Sequence, residues 1–550
     1  MNSDNRNLVL AMILSVGFLV LYNHFFADKF APPQQLPAQI IHQVVEVFPR
    51  EEALKQDKRI AIKTPKFQGS INLKGGRFDD LELTSYKQEV KEGSPSVVLL
   101  SPRQTKNGYL IECGWLGENQ GLFPDGETLW EASSTKLSPE TPVVLSWKNE
   151  KGILFQRTIE VDENYLFKVS EKVTNTTEES FDVMNWALIS RIGLPETSDY
   201  MVLHEGAVGV INGKLKELTY KNLKESATAE QNATGWFGFT DKYWLTSLIP
   251  QENVNVAMEI KAVQRGGKDI YQVEYKTPKV ALKAGESHQI VHRIFAGAKV
   301  VTLLDAYEKN EKISRFDLAV DFGWFYFLTK PLFYVMEILN NFIGNFGWAI
   351  IILTVLTKIV LFPLARTSYN SMNKMKLLQP EMDRLKVKYE NDKMMMQQEL
   401  MAFYKKNNIN PLAGCLPMIP QFFLGFALYK VLFVSIEMRH APFFGWIQDL
   451  SAQDPTSVFN LFGLLPFDPP TFLMIGLWPI INGATMFLQQ KMSPQPSDPA
   501  QAKMMMLMPI FFIYLMSSFP VGLVIYWSWS SILTIAQQWV QGKMMQEKGA

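Results

Sequence analysis

Only two cysteines, Cys113 and Cys415, occur in 550 residues. Two are too few for a disulfide framework. On the topology argued below they fall on opposite sides of a membrane, so no pairing within one chain is expected. Net charge is absent as well, because 54 Lys+Arg balance 54 Asp+Glu. That balance gives no hint of the basic footprint a nucleic-acid binder needs. Enzyme signatures are equally scarce. There is no phosphate-binding glycine loop and no nucleophile elbow. Ser371 and Lys374 match a Ser-x-x-Lys pattern, but in a basic amphipathic stretch without a companion motif. His288 and His292 are four apart in what reads as a strand. There that spacing is about 13 Å, too far to share an ion. No catalytic residue, metal or cofactor is expected, and the chain is not read as an enzyme.

What is present is segregated. Mean hydropathy is −0.02, yet the apolar runs gather at the N-terminus and beyond residue 347. Residues 8–26 form a nearly continuous apolar stretch with no small-x-small cleavage site after it. It is long enough to cross the ~30 Å hydrocarbon core, and 1–26 reads as an uncleaved anchor, a signal peptide being the rival reading. A Pro/Gln-rich linker follows over 27–59. Over 60–317 short runs alternate with period two. Ile153, Phe155, Ile159 and Val161 share a face that only Arg157 interrupts. Asp162-Glu163-Asn164 supplies a turn, and Tyr165, Phe167, Val169 and Val173 resume the period. The pattern predicts a large antiparallel β-sandwich. Residues 318–346 are aromatic-rich but broken by Asp321, Lys330 and Pro331, which fits an amphipathic interfacial helix.

Five further spans are predicted at 347–365, 414–437, 471–490, 504–520 and 521–541. The expected class is an integral membrane α-helical protein with six transmembrane helices plus a large periplasmic antiparallel β-sandwich. The loop 366–411 carries nine Lys/Arg against a single Arg439 in 438–470. By the positive-inside rule the first is cytoplasmic and the second external. Both termini, including the tail 542–550, are then cytoplasmic and the β-domain is periplasmic, in a bacterial inner membrane.

The spans contain polar residues that cost free energy there. Lys358 lies well inside its span, where a cation costs about 3 kcal/mol. Snorkelling is the plain alternative. Thr354 and Lys358 are spaced i, i+4, with Thr357 adjacent. Asn482, Thr485 and Gln489 form a stripe, as do Trp527, Ser531, Thr534 and Gln538, and Gln421 adds an amide. Such stripes often hold helices together. A lysine with no evident buried carboxylate points further, to a hydrated groove whose fixed charge is Lys358. Lys430 lies close to Glu437 at the periplasmic end and reads as snorkelling. The 366–411 segment reads as a helical hairpin rich in Met372, Met375, Met382, Met394, Met395, Met396 and Met401. Flexible thioethers suit varied apolar partners, and plain hairpin packing is the other reading.

Several motifs resemble one family. NPLAGCLPMIPQ (410–421), SYNSMNKMKLLQPEMDRL (368–385), APFFGWIQDLSAQDP (441–455), QQKMSP (489–494) and FPVGLVIYWSWSSILTIAQQ (519–538) are similar to those of bacterial YidC-type insertases, of the YidC/Oxa/Alb family. The resemblance implies a five-helix insertase core over 347–541 with a hydrophilic groove in the inner leaflet. Nascent membrane proteins, ribosome–nascent chain complexes, the Sec translocon and membrane lipids would be its partners, and no cofactor or nucleotide is used. Three features depart from the family pattern. Lys358 stands where arginine is usual, Trp527 where tyrosine is common, and 456–470 reads as an insertion in the periplasmic loop. The C-terminal tail is too short for ribosome binding through a long basic extension. A secondary transporter for a small anionic solute is the competing function, and an envelope-assembly enzyme a third.

Overall fold

The computed structural model describes residues 47–118, 120–195, 203–389, 392–407, 418–467, 469–470, 473–492 and 499–548. The expected anchor 1–26 and the linker as far as residue 46 lie outside them.

The period-two segment folds as two sheets. Among the described residues one has eleven strands and the other nine. Among the described residues, pairing is antiparallel except between Arg59–Lys63 and Lys136–Leu137. The turn at 162–164 forms because Asp162 Oδ1 accepts from the N–H groups of Asn164 (2.9 Å) and Leu166 (3.0 Å). Strands Leu154–Val161 and Leu166–Thr174 then pair in register across it. The one break in their apolar face is explained by its partner. Arg157 is 1% exposed, and its Nε donates to Glu171 Oε1 at 2.7 Å. Its other nitrogens donate to Gly76 O at 2.7 Å and to Cys113 O. Gly76 precedes and Cys113 lies in strands of the opposite sheet, so one guanidinium ties the two layers together. Cys113 is itself buried, which pushes its thiol pKa up. The sandwich also starts earlier than expected. Residues assigned to the linker form a turn of helix, Arg50–Ala53, in which Arg50 pairs with Asp80.

Helices follow. α1 (Val301–Asn310) closes the sandwich. α2 (Tyr326–Ile343) occupies much of the expected interfacial segment and ends on Gly344 in the left-handed region. It buries Thr329, Leu332, Phe333 and Met336 and exposes Phe327 and Phe342. Asn345 then caps α3 (Phe346–Val360), accepting from Trp348 N–H. The expected span 347–365 does not continue straight, because the chain bends by 62° into α4 (Phe362–Leu377). Pro363 accounts for the bend: it has no N–H for the carbonyl of Ile359 and its ring crowds that carbonyl. α4, α5 (Gln379–Lys388) and α6 (Lys393–Lys406) make up the 366–411 hairpin as far as it is described.

α7 (Met418–Val434), α8 (Leu477–Met492), α9 (Pro499–Ser517) and α10 (Val521–Lys548) complete the helices. Their limits depart from the expected spans. α8 begins at Leu477, and α10 runs through most of the expected tail. Among the described residues no single helix is long and apolar enough to cross a membrane. Only the bent pair Phe346–Val360 and Phe362–Ser371 is so in combination, while Ile419–Val434 and Lys503–Ser517 are shorter apolar helices.

Two predictions follow from the sandwich core. Arg157→Met leaves the Glu171 carboxylate buried without its counter-charge, a loss of about 3–5 kcal/mol. Faster hydrogen exchange in Leu166–Thr174 of the full chain is the expected result. His292 is buried with neither ring nitrogen bonded among the described residues. Burial, and then the Arg157 charge, push its pKa from 6.5 down to about 3. Within that window the unfolded chain binds a proton that the folded chain refuses, so stability falls as pH drops below about 6.5. Unfolding followed by tryptophan fluorescence at neutral and mildly acid pH should show a smaller acid loss in His292→Phe than in the unaltered chain.

Candidate functional site: a lysine shared by three helices

Lys358 sits in the last turn of α3, half-buried. Its Nζ donates to Gln421 Oε1 on α7 at 3.2 Å and to Thr534 Oγ1 on α10 at 2.7 Å. Gln421 Nε2 in turn donates to Ser530 Oγ at 3.0 Å. Three helices distant in sequence thus meet at one ammonium. Every acceptor it has there is neutral, and no described carboxylate lies within 4 Å of it. The two hydrogen bonds use two of its three N–H donors and do not balance its charge.

Local geometry holds the set in place. Thr534 Oγ1 donates to Ser530 O one turn back, at 2.8 Å, leaving its lone pairs for Lys358. Gly425, one turn along α7 from Gln421, lets α10 approach. A β-carbon there would lie 3.0 Å from Trp527 Cζ2 and 3.5 Å from Tyr526 Cε1.

Of the residues singled out in the sequence, Lys358, Gln421 and Thr534 are brought together, and Trp527 packs against Gly425. The other expected residues lie elsewhere. Thr354 is 1% exposed and bonds Ile350 O, and Thr357 bonds Thr354 O. Thr357 lines a separate apolar cleft of about 540 Å³ between α2, α3 and α7, walled by Leu328, Val335, Leu356 and Phe423. Asn482 is buried on α8 and receives Thr485 Oγ1 on its carbonyl, with no bond to Lys358. Ser531 is half-buried and outside the set; Ser530, its neighbour, makes the contact instead. The helical spacing of Ser530 and Thr534, i and i+4, was the available signal.

Lys430 corrects the snorkelling expectation. It is 4% exposed and its Nζ donates to Asp321 Oδ2 at 3.0 Å. The same carboxylate accepts from His204 N–H at 3.1 Å and Gly323 N–H at 3.0 Å. Asp321 thereby joins α7 to the sandwich and to the entry of α2. Glu437 adds a second tie, accepting from Val301 N–H at the start of α1. Nearby, Asp305, Glu308 and Asp317 bring one carboxylate oxygen each within 4.8 Å of one another. Lys330 donates to Asp305 (2.9 Å) and Asp317 (2.6 Å), so an ammonium already meets that acidic group.

In the hairpin, Met382 is buried, and Met375 and Met396 are half-buried. Met394, Met395 and Met401 are exposed. Met372 is on α4, and its side chain lies outside what is described. Packing and exposure thus divide the methionines between the two readings.

The polar set yields a double-mutant prediction. Gln421→Leu removes one acceptor from Lys358 and the donor from Ser530, which costs about 1–3 kcal/mol. In a Lys358→Leu background the same change should cost less, as thermal unfolding of the four chains would measure.

A family model described as the YidC periplasmic domain matches residues 59–335, and one described as the 60Kd inner membrane protein matches 338–548. The membrane protein insertase YidC of Rickettsia conorii is 47% identical over 99% of this chain and 100% of its own length. That of Rickettsia bellii is 46% identical with the same coverage. A crystal structure of an active YidC insertase with its first transmembrane domain resolved covers 96% of this chain and 98% of that one, at 17% identity and a TM-score of 0.36. Matched end to end by such relatives and over nearly all its length by the two models, the chain belongs to the YidC family of inner-membrane protein insertases, its β-sandwich being the periplasmic domain.

Proposed function

We propose that the chain inserts client membrane proteins by drawing their polar flanks toward Lys358, in a hydrophilic groove open to the cytoplasm and the inner leaflet. The observation that carries this reading is the uncompensated cation. An ammonium held by an amide and a hydroxyl keeps its field, and in a low-dielectric setting that field attracts an acidic or polar segment. Polar residues at such depth are costly, and function is the usual reason they persist. The half-buried position of Lys358 supports access to it.

The rest of the reading follows the charge distribution. The bent α3–α4 pair carries the chain into a hairpin whose basic residues belong in the cytoplasm. Six spans with both termini inside then leave the sandwich in the periplasm. Exposed Met394, Met395 and Met401 give the hairpin a surface for nascent chains, alone, on ribosomes or beside the Sec translocon. Chaperone action on partly folded clients would use the same surface. A transporter for a small anionic solute is less well supported. Repeat-related broken helices would favour it, and among the described residues one bent pair occurs.

The test is insertion of a single-span client into vesicles holding only this chain, read by protease protection. Lys358→Ala and Lys358→Glu should lower protection of acidic translocated tails about fivefold, equivalent to about 1 kcal/mol. Lys358→Arg should retain activity, since the charge remains. Equal insertion by all variants would remove the electrostatic role.

A further inference from the structure

Residues 457–467 form a short loop between α7 and α8 that the groove does not use. It contains no charged residue. Phe459, Leu461, Phe462, Leu465 and Phe467 are exposed, and Leu464 is 82% exposed. Scattered apolar side chains on a surface are ordinary, but a continuous uncharged cluster is not.

The backbone is folded to suit that display. Phe462 N–H donates to Ser457 O at 2.7 Å and Leu465 N–H to Asn460 O at 3.0 Å. Asn460 closes the loop from its centre, its Oδ1 accepting from Gly463 N–H at 3.0 Å and its Nδ2 donating to Phe467 O at 3.3 Å. Leu461 and Phe462 take φ of +50° and +58°, which bulky side chains rarely adopt. The loop thus pairs several of its own polar groups, at the expense of backbone strain, while turning its apolar side chains outward. Hydrocarbon demands that combination, since it offers no water to an open carbonyl or N–H.

The base is fixed. Asp454 is 4% exposed and accepts from Trp446 Nε1 (3.1 Å), Thr456 Oγ1 (2.7 Å) and Trp478 N–H (2.9 Å). Thr456 Oγ1 also accepts from Leu477 N–H at 3.0 Å, so the pair caps α8 where the loop re-enters it. Trp446 and Phe444 are themselves exposed beside this base, as aromatic side chains are at a membrane surface.

We propose that the 457–467 loop is a wedge that dips into the acyl region of the outer leaflet and seats the periplasmic ends of α7 and α8 in the bilayer. The proposal rests on the orientation given under the proposed function. It assigns a lipid surface, not a protein, to residues 457–467 of the expected insertion.

The test is nitroxide accessibility in the full chain, reconstituted in phosphatidylethanolamine–phosphatidylglycerol vesicles. A label on Leu464→Cys, in a Cys415→Ser background, reports the wedge; Cys113 is buried and does not compete. A label on Arg265→Cys, exposed at a hairpin turn of the sandwich, reports water. Oxygen collisions should exceed those of a nickel chelate at position 464 and the order should reverse at 265. Nickel dominance at 464 would overturn the wedge, as would shielding from both reagents, which is the signature of a protein cover or a second copy. Client insertion by the same labelled chain separates the two readings. Insertion with a wet label removes the wedge alone, whereas a lipid-buried label without insertion removes the insertase role alone.

Discussion

A positive charge among apolar helices must either find a carboxylate or remain a source of field, and the helical core of this protein uses both solutions. At Lys430 the carboxylate is Asp321, and the result is a joint between α7, the sandwich and α2. At Lys358 the partners are neutral, and the charge is left without a counter-ion among the described residues. The difference lies in the acceptors rather than in the lysines. An ion pair cancels the field outside it, while an amide and a hydroxyl orient the ammonium and leave its charge to be answered by something else.

That arrangement sets conditions on its surroundings. α3, α7 and α10 must converge within hydrogen-bond reach of one nitrogen, and Gly425 permits it by leaving room for Trp527. The 62° bend after Val360 turns the chain away just beyond Lys358. On the periplasmic side, Asp321, Lys330 and Glu437 tie the sandwich to the helices.

Much of this was legible in the sequence, for physical reasons. Period two and Asp/Asn turns identified the sandwich because strand alternation is a local property. Its two-layer tie was not legible: Arg157 looked like an interruption, and its acceptors at Gly76 and Cys113 are set by sheet packing. Lys430 was misread for the same reason, since Asp321 lies 109 residues away in the chain. Ser531 was chosen over Ser530 through a one-residue error in helical phase, which a contact with Gln421 decides and a stripe does not. Pro363 did announce the bend, but hydropathy averaged over the span concealed it. The apolar loop after Asp454 stood out as an insertion, yet only its hydrogen bonds reveal a backbone closed upon itself.

The central claim is that a client's polar flank passes beside Lys358 on its way across. Photocrosslinking during insertion tests it most directly. A photoreactive residue would replace Ser531, half-buried and next in the chain to Ser530, and in a second chain Val360, which is 77% exposed on α3. The account predicts cross-links from the polar flank of a stalled client to position 531, weakened by Lys358→Glu, with position 360 reaching lipid. Cross-links from that flank to position 360 alone, indifferent to the charge at 358, would contradict it.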